Sequence, residues 1–290
     1  MADRSPRRGT RRGRVESARQ SILSGKAGSI EPAVRAKGGN LVAAGVTAGF
    51  SLLFAAGTRP GVAEVERLLQ TAPPANLGSA RISHRPADDE GWLELLASGL
   101  TFDLAGLAPA PPAPLPRAVH RFGIGDDTAG KVHEAVSLLP GEHIMAGSAQ
   151  VTVVRVMAGL AARLVGLGGV RAVAWHPAAS WMEAGYFTRV VAAWLAGGVF
   201  PALGLTAFES TADGGIESVG LAFFTGQELR VEALAGEARA DTVKLAVRAV
   251  DMLVRHGPLA DRFTLIGPSG EPLVVEPDAG GKVLRLWREG

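Results

Sequence analysis

An α+β fold, built as two-layer sandwiches of mixed or antiparallel sheet with helices on one face, is predicted by three features of the sequence. Residues 149–167 and 240–256 place apolar side chains at helical spacing, Val151, Val154, Met157, Leu160 and Leu164 in the first and Val243, Leu245, Ala246, Val250 and Leu253 in the second. Short apolar runs bounded by Gly, Pro, Asn and Asp recur between them, as strands do. From residue 170 to residue 266 the expected elements run β-α-β-β-α-β, the order of a ferredoxin-like split βαβ unit in the C-terminal half.

The chain has 290 residues, 47% of them hydrophobic, enough for a sizeable core without covalent staples. Cysteine is absent, which excludes disulfides and thiolate chemistry and restricts any metal site to His and carboxylate ligands. The net charge of +2 conceals a division of charge. Residues 1–37 hold ten basic side chains against three acidic ones, leaving twenty basic against twenty-five acidic in the remainder. The high isoelectric point therefore belongs to the N-terminal segment, and a mildly acidic body argues against a broad nucleic-acid-binding face.

Residues 1–39 are rich in Arg, Gly and Ser and lack apolar periodicity, so they read as a disordered basic tail. Arg7, Arg8, Arg11, Arg12 and Arg14 form a run suited to weak, nonspecific contact with phosphates or anionic lipid. Residues 38–58 carry no charge and are long enough to anchor the chain in a membrane, but five glycines thin the stretch. A buried first strand at 50–56 is the favoured reading, with an inner-membrane tether as the alternative. The remainder, 40–290, is expected to form one α+β domain or two packed halves, 40–147 and 148–290.

An amphipathic helix is expected at 61–70, where Val62, Val65, Leu68 and Leu69 share a face. Strands follow at 80–84, 92–97 and 100–107, the second of which is also compatible with a helix. The proline run at 109–116 lacks the amide donors of a ladder strand and reads as a loop or spacer. A strand at 118–124 then leads to Asp126, Asp127 and Thr128, candidate caps for a helix reaching residue 139. The GIGDDTAG turn only superficially matches a dinucleotide fingerprint, because its acids would repel a pyrophosphate.

After the helix at 149–167, a GLGG break returns the chain into a strand at 170–175, and Pro177 ends that strand before a helix starting near Ser180. Strands at 201–209 and 216–224 flank the hairpin signal Asp213-Gly214. A further short strand at 229–233, the helix at 240–256 and strands at 263–266, 272–276 and 282–287 complete the chain.

No reaction signature stands out. The six His form no HxH, HxxxH or HExxH pair, so neither a metal nor a cofactor is expected, and Ser180 lacks a nucleophile elbow. The best constellation lies where the strand at 170–175 ends. His176, Glu183 and Tyr186 are the catalytic candidates, a His and a carboxylate for acid–base work beside a phenol, and Ser180, Gln227 and Glu228 are the ligand-binding candidates. The competing interpretation assigns Glu183 to helix capping, His176 to a backbone hydrogen bond and the tryptophans to the core.

The phrases AVAWHPAASWMEAGYFTRVVAAWLAGG, FPALGL and GLAFFTGQEL resemble the core of an uncharacterised bacterial domain, domain-of-unknown-function family 4261. The likeness covers roughly residues 149–232, or the chain from residue 50 onward, and leaves out the basic tail. It implies a bacterial, cytoplasmic α/β protein and brings no catalytic residues with it. The expected function is thus a binding or interaction module, accessory or immunity-like, whose partner is another protein. The alternative is a cofactor-independent enzyme using His176 and Glu183.

Overall fold

The computed structural model describes residues 48–289, apart from 126–130, 132, 235, 268 and 269. The basic tail, residues 38–47 of the 38–58 stretch and the capping residues Asp126, Asp127 and Thr128 therefore lie outside the described residues.

The first eight strands are β1 (Phe50–Ala55), β2 (Ala80–His84), β3 (Trp92–Ala97), β4 (Leu100–Ala105), β5 (His120–Phe122), β6 (His133–Pro140), β7 (Ala172–Trp175) and β8 (Ser180–Glu183). They form one sheet in the order β2-β3-β4-β6-β1-β7-β8-β5. Only β5 and β8 run parallel; every other pair is antiparallel. A second sheet contains β9 (Ala207–Ser210), β10 (Ile216–Val219), β11 (Glu228–Val231), β12 (Phe263–Ile266), β13 (Pro272–Pro277) and β14 (Val283–Arg288). Its order is β12-β13-β14-β11-β10-β9, with β11 and β14 parallel. Among the described residues four longer helices accompany them, α1 (Val62–Gln70), α2 (Val151–Leu164), α3 (Ala184–Leu195) and α4 (Arg239–His256), besides short helical turns at Ala202–Leu205 and Ala222–Thr225.

The fold is α+β with two mixed sheets. β1 sits near the middle of the larger sheet because its run Phe50, Leu52, Leu53 and Phe54 is fully buried, as suits a strand covered on both faces. α2 packs against β1, β4 and β6, and α4 packs against β10 and β11. One apolar cluster runs from Phe50, Leu52 and Met157 through Trp175 to Leu229 and Leu286, so both sheets share it. The opposite face of the larger sheet buries Leu53, Ala135, Ala172, Ala174 and Trp181 against Ala113, Ala118 and Ile124. No helix of the described residues is long and apolar enough to cross a membrane.

Several expectations are corrected. Residues expected to end a helix at 139 instead form β6, which lies between β4 and β1 and pairs with both. A helix would bury only one stripe of HEAVSLLP, whereas the strand buries Ala135, Val136 and Leu138 on two faces while completing two ladders. The helix expected from Ser180 begins four residues later. Residues 180–183 pair instead with β7, and Glu183 caps α3 by accepting from the amides of Gly185 and Tyr186 at 2.8 and 2.6 Å.

The split βαβ order is also overturned. β7 belongs to the larger sheet and the β9–β10 hairpin to the smaller one, so the strands read as one unit are divided between two sheets. A division at residue 147 would likewise cut the larger sheet, since β1 pairs with both β6 and β7. The Asp213-Gly214 hairpin is present: Thr211 N–H donates to the Gly215 carbonyl at 2.9 Å and Gly214 has φ +85°, the left-handed region where glycine carries no Cβ penalty.

Candidate functional site

β7 ends at Trp175, and the next residue, His176, carries its ladder with β1 one step further, its amide donating to the Gly49 carbonyl at 3.1 Å. Glycine is needed at 49, because a Cβ there would fall 2.8 Å from His176 Nδ1. The imidazole is held from behind. Its Nε2 lies 2.9 Å from Ser51 Oγ, which lies 2.8 Å from Ser137 Oγ. Burial pushes the His176 imidazole down from 6.5 to about 4, so it is neutral over the physiological range.

In front of His176 lies a cleft of about 580 Å³. One wall is the proline segment 114–117 with Val119 and His120, the other is 177–179, and Glu209 and Val219 bring in the edge of the smaller sheet. The proline segment is fastened at both ends. Ala113 N–H donates to the Ala135 carbonyl at 3.0 Å, and the amides of Val119 and His120 donate to the Ala179 carbonyl at 2.9 and 3.2 Å. The run expected to be a spacer is therefore a structural wall, since prolines without donors can still lie across a sheet face by apolar contact. His120 Nε2 stands 3.4 Å from Glu209 Oε1, within ion-pair range, yet it is buried and has no hydrogen-bond partner of good geometry among the described residues. At 3.4 Å the contact is long for an N–H···O bond and Glu209 is largely exposed, so the pair holds His120 only weakly.

Of the six candidates named from the sequence, His176 alone lines this cleft. Ser180 is buried and donates its hydroxyl to the Gly204 carbonyl. Glu183 is spent on the α3 cap, and the Tyr186 hydroxyl donates to the Leu203 carbonyl at 2.9 Å. Gln227 is buried, donating to the carbonyls of Leu259 and Gly281 and accepting from Leu259 N–H. Glu228 accepts from Ser218 Oγ and from the amides of Gly220, Leu221 and Ala222. The His176–Glu183 acid–base pair is thus not assembled, because the carboxylate serves its own helix.

The sequence reading missed Ser51, Ser137, His120 and Glu209. Ser51 carried a signal, being the only polar side chain in the FSLLFA strand. His120 and Glu209 carried none, since 88 intervening positions separate them and only the meeting of two sheet edges joins them. Ser51 Oγ and His176 have the spacing of a nucleophile and its base. The serine is 0% exposed, however, and a substrate carbonyl has no approach to it. Among the described residues no group of three His, Asp or Glu is arranged to hold a metal ion.

In comparisons with protein-family models, with curated proteins and with solved structures, the chain finds no match.

The buried imidazole has a measurable consequence. Its folded-state value lies below its unfolded one, so the unfolded chain binds the extra proton between about 6.5 and about 4. Stability from this group is complete above that window and is lost as pH falls through it, by about 3 kcal/mol in all. His176→Gln is expected to flatten that part of the stability curve in urea titrations. An unchanged slope in the variant would show that another group carries the acid sensitivity.

Proposed function

We propose that this protein is a binding module, accessory or immunity-like, that recognises another protein by taking one of its apolar segments into the cleft before His176. The observation that carries the reading is a contrast between the two sets of side chains. The polar groups suited to chemistry are engaged in holding the fold, whereas the cleft presents Leu115 and Val119 at 51% and 49% exposure beside an under-bonded His120. Apolar walls with few convergent polar groups are the usual composition of a recognition site. The resemblance to the bacterial domain of unknown function supports a cytoplasmic setting without catalysis, and the cysteine-free sequence is compatible with that compartment.

The test compares capture from native-host lysate on the immobilised full chain and on a Leu115→Asp, Val119→Asp double variant. Both positions are half-exposed, so the melting temperature should stay near that of the parent. A protein retained by the parent and reduced about tenfold or more on the variant is the expected result. Identical retention by both, or none by the parent, would overturn the proposal.

A further inference from the structure

The proline wall of the cleft has an outer side of its own. Residues 111–118 run without helix or turn. Pro111, Pro112, Pro114 and Pro116 fix φ near the polyproline value with their rings, and a residue that precedes proline is driven to the same region. A polyproline helix has three residues per turn, so every third side chain shares a side. The burial follows that period. Ala110, Ala113 and Pro116 are half-buried, whereas Pro111, Pro112, Pro114, Leu115 and Arg117 are exposed.

The half-buried row is the one seated on the body. Arg59 donates to the Ala110 carbonyl at 3.0 Å, and Ala113 N–H donates to the Ala135 carbonyl at 3.0 Å. Small residues meet at both points: a Cβ on Gly91 would collide with Ala110, and one on Gly106 with Ala113. Two rows are left facing outward. Pro111, Pro114 and Arg117 form the first, Pro112 and Leu115 the second, and successive members of a row lie one turn, about 9 Å, apart.

We propose that this ridge is itself a ligand, docking in a partner protein's groove that is walled by aromatic side chains and ends in a carboxylate facing Arg117. Two apolar pairs one turn apart, Pro111-Pro112 and Pro114-Leu115, are the shape that aromatic-walled grooves accept from a polyproline helix. Arg117 is the next member of the first row, is exposed, and makes no ion pair or hydrogen bond with a described residue, so its charge is free to select a carboxylate and to set the direction of docking. One cation among prolines is too little to hold a phosphate backbone or an anionic membrane, which take several. The ridge is also ordered before any partner arrives, so docking forfeits little conformational entropy. This surface is distinct from the cleft, since Pro111 and Pro112 take no part in lining it.

An isolated SH3 domain, with an aromatic groove and an acidic end to it, serves as the probe in nuclear magnetic resonance titrations of the full chain. The parent is expected to bind with a Kd below about 1 mM. Arg117→Glu should bind about tenfold or more weakly, with its thermal melt preserved because the side chain is exposed. The Pro111→Ala, Pro112→Ala double variant should show a loss of the same order, and Val119→Asp, which alters the cleft, should bind as the parent does. No binding by the parent at about 1 mM domain, or binding indifferent to Arg117→Glu, would overturn the proposal. So would a loss in Val119→Asp equal to that in Arg117→Glu, which would put the probe in the cleft. Failure of the ridge leaves the cleft reading standing, because that reading is decided by capture on the Leu115→Asp, Val119→Asp variant.

Discussion

Trp175→Ala is expected to lower stability by about 3–5 kcal/mol, the range for emptying a fully buried aromatic site. The indole is 0% exposed and packs on Phe50 at 4.6 Å between ring centroids, with Phe223 and Phe224 at 5.4 and 6.2 Å. Phe50 belongs to the larger sheet, and the two other phenylalanines lie in the helical turn Ala222–Thr225 that links β10 to β11 of the smaller sheet. Truncation therefore removes the ring through which one sheet rests on the link of the other. Trp175→Phe should be much milder, about 1–2 kcal/mol, because the indole Nε1 has no hydrogen-bond partner among the described residues and its removal leaves nothing unpaired. Urea denaturation at neutral pH measures both. An alanine variant within about 1 kcal/mol of the parent would mean that the site collapses around the loss, contrary to the packing described.

Glu228→Ala should have an effect of similar size for a different reason. One carboxylate accepts from Ser218 Oγ and from three successive amides, Gly220, Leu221 and Ala222, two of them bonded at 3.1 Å and one at 2.9 Å. These amides begin the same helical turn that carries Phe223 and Phe224. Deleting the acceptor leaves several donors unpaired at a partly buried position, a loss of about 3–5 kcal/mol. Glu228→Gln keeps one of the two acceptor oxygens and should lose about half as much. Burial raises the Glu228 carboxyl above its ordinary value, with the hydrogen bonds from Ser218, Ala222, Gly220 and Leu221 opposing that rise. A raised carboxyl holds its proton more firmly in the folded state, so this group's contribution falls as pH increases from the ordinary carboxyl value through the raised one. The trend runs opposite to that of His176, and Glu228→Gln should remove it. Proteolysis of the 220–226 segment, faster in the alanine variant than in the glutamine variant, would report the loosened turn. Equal rates in both would refute the anchoring role.

These two side chains also show where sequence reasoning reached and where it stopped. Trp175 and Glu228 stand in the stretch 170–228 that is richest in tryptophan and carries the single tyrosine, and that stretch does bridge the fold. Its chemistry was harder to read. Glu183 and Glu228 are drawn alike in sequence, each beside a helix or strand end, and both prove to be acceptors for backbone amides. A carboxylate that caps and one that acts on a ligand have the same local sequence context, and only the direction of the side chain separates them.

Local signals were reliable where the decisive interaction is itself local. The spacing of apolar residues placed α2 and α4, the Asp213-Gly214 pair placed a hairpin, and the short, mostly apolar run at 50–56 placed a buried strand. Composition alone established that no disulfide supports the fold. Tertiary structure decided the rest, because strand pairing is satisfied by partners far away along the chain. His133–Pro140 became a strand since β4 and β1 offered two open ladders. Residues 180–183 became a strand since β7 lay beside them. The cleft before His176 exists because β5 and β9 are edges of different sheets brought within 3.4 Å at His120 and Glu209. The sequence determined by itself which segments must be buried. The sheet into which each was drawn, and the surfaces left open where the sheets end, were settled by hydrogen bonds between residues that are remote in sequence.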